Sequence, residues 1–140
     1  VLQPHIIREI RSADGNSVYE REVTENRQAV SGETAEKIVS YMQRAVEPGG
    51  TASRLRTEGM QIAAKTGTAQ LPDPETGEFS RERYLASCIA LVPSDDTTYI
   101  IYIAADYPKA GSIYGSTVVV PYMKQIVDEG LREGIFTQGR

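Results

Sequence analysis

Lys65, Thr66, Gly67 and Thr68 follow one another inside the stretch AAKTGTAQ, Ala63 to Gln70. The stretch reads as a strand, on which successive side chains point to opposite faces. Thr66, Thr68 and Gln70 then share one face, and Lys65, Gly67 and Ala69 the other. Two hydroxyls spaced in this way stand roughly 7 Å apart at the backbone, close enough to converge on one carboxylate of a ligand. Lys65 adds positive charge on a flexible stem that can curl round the strand edge, or tunes the proton of a neighbouring hydroxyl. Gly67 leaves bare backbone for a substrate or a second backbone to approach. The N–H of Thr68, offered at a strand edge, can help stabilise an oxyanion. The residue types alone leave a plainer account open, because an edge lysine guards against aggregation and threonine simply favours strands.

The flanking elements follow from pattern. Residues 5–11 and 17–23 hold β-favouring residues around SADGN, where Asp14-Gly15 supplies a tight hairpin turn; the charged arms imply a half-exposed hairpin. A helix is expected over about 32–47, capped by Ser31 and stopped by Pro48-Gly49-Gly50. Its apolar face, Ala35, Ile38, Val39, Met42, Ala45 and Val46, is expected to be core. Strands are expected over about 60–70, 84–92 and 98–107, with 71–83 as a loop between the first two. YLASCIALV, Tyr84 to Val92, is apolar on both faces, as in a strand covered on both sides. Asp95-Asp96 reads as part of a turn rather than an acid/base pair, since nothing nearby separates two pKa values. A last helix over about 118–133 carries Tyr122, Met123, Ile126, Val127 and Leu131 as its apolar stripe. The order predicts an α+β fold: an antiparallel sheet of three strands plus a preceding hairpin, packed with helices.

Totals narrow the function. The 140 residues are 40% hydrophobic, which suits one globular unit, or a piece of one. Net charge is −4 without a basic cluster, so no nucleic-acid partner is expected. The longest apolar run, Tyr99 to Ala105, is too short to span a bilayer. One histidine, His5, and one cysteine, Cys88, cannot form a recognisable zinc site, and neither metal nor cofactor is expected. Cys88 reads as a small buried hydrophobe and His5 as a surface residue. Tyr114 and Gly115 either line the rim of a groove or pack the start of the last helix.

AAKTGTAQ resembles the Lys-Thr-Gly active-site motif of the penicillin-binding transpeptidases. The resemblance extends over nearly the whole chain. PHIIREIRSADGNSVYE is similar to the family's hairpin, and VSGETAEKIVSYMQRAVEPGGTAS to the helix and Gly-Thr-Ala turn ahead of the motif. YLASCIALVPSDDTTYIIYIAADYPK resembles the next two strands, and YGSTVVVPYMKQI the start of the terminal helix. The likeness is to the monofunctional, class B type and to the C-terminal half of its transpeptidase domain. It implies a D,D-transpeptidase that cross-links peptidoglycan stem peptides ending in D-Ala-D-Ala through a serine acyl-enzyme, and that binds β-lactam antibiotics. It implies catalytic roles for Lys65 and Thr68, with Thr66, Gly67 and Thr68 binding substrate. Lys65 would stand beside the serine of the family's second motif. Thr66 and Thr68 would hold the terminal carboxylate, and the Thr68 N–H would form half of the oxyanion hole. It further implies an extracytoplasmic domain held to the bacterial cytoplasmic membrane by an anchor outside this chain.

The family's other motifs are Ser-x-x-Lys and Ser-x-Asn. No serine here has lysine three residues on, and none has asparagine two residues on. The nucleophile is therefore expected in a missing N-terminal part of the same domain, and the 140-residue chain alone is expected to be inactive. A β-lactam sensor domain and a non-catalytic structural fragment of the same fold are the alternatives.

Overall fold

The computed structural model describes residues 2–22, 27–93, 99–109 and 111–136. The chain divides into two compact units, Val1–Ala35 and Glu36–Arg140, with the boundary inside a helix.

The first unit contains β1 (Glu9–Arg11) and β2 (Ser17–Glu20), paired antiparallel with Ile10 opposite Tyr19. Asp14-Gly15 makes the turn. Gly15 has φ +87°, and the Asp14 carboxylate accepts from the Ser12 hydroxyl and from Asn16 Nδ2. Those contacts, the Ser12 one foremost, hold the Asp14 carboxyl below its ordinary pKa. Almost every residue of both strands is exposed, beyond the half-exposure expected. The strands are shorter than 5–11 and 17–23, and Val23 lies outside the described residues.

Helix α1 (Gly32–Arg44) begins where Ser31 Oγ accepts from the Thr34 amide, as the capping pattern requires. Its apolar face is not core, which corrects the sequence expectation. Ala35 is exposed, Ile38 is 47% exposed, and Val39, Met42 and Ala45 are half-buried; only Val46, beyond the helix, is buried. Helical spacing reports which residues share a face, but not whether anything covers that face.

The second unit is built on β3 (Ala63–Pro72), β4 (Phe79–Val92) and β5 (Tyr99–Asp106), in the antiparallel order β3-β4-β5. The expected loop over 71–83 shrinks to a turn. β3 runs on to Pro72 and β4 starts at Phe79, because the Asp73 amide donates to the Glu78 carbonyl and the Gly77 amide to the Asp73 carbonyl. The connection holding Asp95-Asp96 lies outside the described residues. Directly opposed residues share a face. Ala64, Ala90 and Ile101 therefore line up on one face, as do Thr66, Cys88 and Ile103. That face is the core, with Ala86, Cys88, Ala90 and Val92 fully buried. The other face, with Leu85, Ile89 and Leu91 half-buried and Ile100 and Tyr102 exposed, is not covered as expected among the described residues.

The terminal helix is two helices, α2 (Gly115–Val118) and α3 (Val120–Arg132), with Pro121 in the first turn of α3. Val120, Met123 and Val127 are fully buried, while Tyr122 and Ile126 of the expected stripe stay exposed. α3 ends at Arg132, close to the expected bound of 133. Gly134 takes φ +69°, its amide donates to Leu131 O, and the Ile135 amide donates to Gly130 O. Among the described residues, no helix is long and apolar enough to cross a membrane.

Candidate active site

Hydrogen-bond parity decides what β3 offers. At the end of the β4–β5 ladder the Tyr107 amide donates to Tyr84 O at 2.9 Å. In an antiparallel pair, bonding to a given neighbour falls on alternate residues. Tyr84, Ala86 and Cys88 therefore bond toward β5, and Leu85, Ser87 and Ile89 toward β3. The residues opposite these are Ala69, Gly67 and Lys65, whose backbone groups the ladder consumes. Thr66, Thr68 and Gln70 are left with N–H and C=O directed to the open edge, since β3 is an edge strand of this sheet among the described residues. The Lys65 side chain agrees with this parity. Its Nζ donates to Thr66 O at 2.7 Å, which requires that carbonyl to face outward.

The two threonine hydroxyls stand on the core-side face, above Cys88 and Ala86. Each is held from outside the strand. Thr66 Oγ1 donates to Thr51 Oγ1 at 2.9 Å, and Thr68 Oγ1 accepts from the Gly115 amide at 3.4 Å. These engagements differ in sense. Thr66 gives its proton away and leaves the Thr51 proton free, while Thr68 keeps its own proton for a ligand. Lys65 stands exposed on the opposite face, its ammonium curled to the edge. Gly67 is less bare than expected. A Cβ there would lie 2.6 Å from Ser87 Oγ, so the missing side chain makes room for the serine opposite it.

Cys88 lies behind Thr66 with no exposed surface. Burial raises its thiol pKa from 9.0 to about 11, with the Lys65 charge pulling weakly the other way. It is a small core side chain with a suppressed thiolate, unsuited to nucleophilic work. Hollows of about 640 and 670 Å³ lie between the α1 end and β3, around Arg56 and Met60, and beside α3 around Lys109 and Tyr122. Neither is lined by Lys65, Thr66, Gly67 or Thr68.

The structure thus brings Lys65, Thr66, Gly67 and Thr68 to one strand edge. It adds Thr51, Ser87 and Gly115, which spacing within the motif does not reveal. Gly115 packs the start of the last helix, one of the two placements open from sequence. Thr51 lies in the Gly-Thr-Ala turn, where a threonine after two glycines was the one signal available.

The family model described as penicillin binding protein transpeptidase domain matches residues 1–128. The chain belongs to that family. Among its relatives is stage V sporulation protein D of Bacillus subtilis, 30% identical over 131 residues that cover 93% of this chain and 20% of that protein. Penicillin-binding protein PbpB of Mycolicibacterium smegmatis is 35% identical over 114 residues, 77% of this chain and 17% of that protein. The solved penicillin-binding protein 3 of Mycobacterium tuberculosis, in its apo form, superposes with a TM-score of 0.80 at 26% identity, over 99% of this chain and 32% of that one. The same protein has been solved with ampicillin and with aztreonam, with TM-scores of 0.80 and 0.79. The α+β arrangement is therefore part of the penicillin-binding transpeptidase fold. The chain spans about a fifth of these curated relatives and about a third of the solved one.

Proposed function

We propose that this chain forms the Lys-Thr-Gly wall of the cleft in a class B D,D-transpeptidase that cross-links peptidoglycan stem peptides. The observation that carries the reading is the Thr68 pair of donors, an N–H on the open edge of β3 and a hydroxyl on its face. In the reaction a serine outside this chain adds its Oγ to the penultimate D-Ala carbonyl. The terminal D-Ala leaves as the amine and takes up a proton, and an acyl-enzyme remains. The amine of a second stem peptide then attacks that ester and releases the serine.

The residues of this chain bind and polarise. The Thr68 amide donates to the oxyanion as the carbonyl becomes tetrahedral. The Thr68 hydroxyl donates to the terminal carboxylate, and the hydroxyl pair of Thr66 and Thr51 flanks it. The Lys65 ammonium sets a positive field at the strand edge, favouring both developing and resident negative charge. Gly67, covered by Ser87, keeps the backbone low between them. β-Lactams would enter the same frame, a reading supported by the ampicillin and aztreonam complexes of the superposed protein. The domain would work on the extracytoplasmic face of the membrane, where its peptide substrate resides.

Labelling with a fluorescent penicillin tests the reading. The full-length protein is expected to become covalently labelled, with Lys65→Ala slowing labelling sharply. The 140-residue chain alone is expected to stay unlabelled. Strong labelling of the isolated chain, or a wild-type acylation rate in Lys65→Ala, refutes it.

A further inference from the structure

Gly115 is the first residue of α2, so its amide has no acceptor within the helix. That amide is received by Thr68 Oγ1 at 3.4 Å, across 47 residues of sequence. Gly115 is buried, and its Cα presses on the sheet where Gly67 and Ser87 pair. A Cβ added there would lie 2.3 Å from the Ser87 carbonyl oxygen and 2.7 Å from that of Gly67. Both obstacles are backbone, which cannot swing aside as a side chain can. No positive φ accounts for this glycine, unlike Gly15 and Gly134. Its requirement is closeness.

We infer that Gly115 is a positioning residue for Thr68, and the inference rests on the transpeptidase reading of that threonine. The chemistry is directional. A hydroxyl oxygen that accepts an amide proton has one lone pair occupied, which restricts where its own O–H can point. With the Gly115 amide behind it, the Thr68 proton is turned away from α2 and toward the ligand side of β3. The same contact fixes how far α2 stands from the strand. An alanine at 115 must retreat by about 1 Å to restore ordinary contact, and a hydrogen bond that is already long does not survive such a shift.

The test is a double-mutant cycle in the full-length protein, read as the second-order rate of acylation by benzylpenicillin, with pre-acylation Kd and acylation rate resolved separately. Thr68→Ala is expected to slow acylation about 30-fold or more, in line with the loss of a hydrogen bond to a charged group. Gly115→Ala is expected to slow it about 10-fold in the wild-type background, mainly through Kd. In the Thr68→Ala background it is expected to cost less than about twofold, because the group it positions is gone. Equal losses in the two backgrounds overturn the positioning role while leaving the function intact. A wild-type rate in Thr68→Ala overturns the reading of Thr68 itself. Should Gly115→Ala fail to fold, amide exchange decides the matter. In Thr68→Val the Gly115 amide is expected to exchange at least about fivefold faster than in wild type, with its neighbours in α3 unchanged; an unaltered rate overturns the inference.

Discussion

Cys88 offers a titration that reads the interior of the site directly. Its thiol ionises near 9.0 when solvated and near 11 in the fold, chiefly because burial penalises the thiolate. The sign follows from proton counting. Between these values the unfolded chain has lost the thiol proton while the folded one keeps it, so rising pH favours unfolding. The contribution is fully present below pH 9 and is lost as pH climbs toward 11, at ~1.4 kcal/mol per unit across the window, or about 2–3 kcal/mol in all. The useful quantity is a difference between two proteins at each pH. Urea unfolding of wild type and Cys88→Ala at pH 8, 9, 10 and 11 should give stabilities whose gap changes by about 2–3 kcal/mol, with wild type losing ground. Parallel pH dependence in the two proteins would refute the burial account. Lys65 supplies a second check, since its charge opposes the shift. Lys65→Met should move the window to still higher pH, and an unmoved window would show that the field of Lys65 does not reach the sheet interior.

Two further outcomes are expected. Because Thr66 donates to Thr51, Thr51→Val should weaken the pre-acylation complex with a carboxylate-bearing β-lactam about 10-fold, at least as much as Thr66→Val. Neutral behaviour of Thr51→Val beside a damaging Thr66→Val would reverse the assigned direction of the hydroxyl pair. With Ile100 and Tyr102 67% and 59% exposed on the uncovered sheet face, the 140-residue chain alone should self-associate, and a sharp monomer peak on size-exclusion chromatography would contradict this.

Sequence makes the alternation on β3 readable, because a period of two is a property of any strand. It also announces the turn at Asp14-Gly15, where backbone conformation demands a particular residue. The burial of α1 was not readable. Its apolar spacing is genuine, yet Ile38 and Tyr41 remain exposed, since cover is a property of neighbours rather than of the helix. The edge position of β3 and the outward direction of the Thr68 amide are likewise collective, set by strand order and by the parity of the whole ladder. Thr51 and Gly115 escaped motif reasoning for a related reason. They lie 15 and 47 residues from the threonines they touch, and neither residue type advertises a partner. Gly115 is legible only when the distance to two carbonyls is known.

The Thr68 geometry has a stereochemical consequence. Its amide lies in the plane of the sheet and its hydroxyl stands off that plane, so two donors from one residue point along different axes. The Thr66–Thr51 hydroxyl pair, on the same face as the Thr68 hydroxyl, supplies a third point of reference. Three points that do not fall on a line, seen from one side only, distinguish an object from its mirror image. A ligand whose carboxylate and reacting carbonyl meet both donors in one configuration must, in the opposite configuration, either forgo a donor or drive its side chain into the strand. On the role proposed for Thr68, handedness is then read by groups fixed along one strand edge, with no pocket needed to enclose the chiral centre.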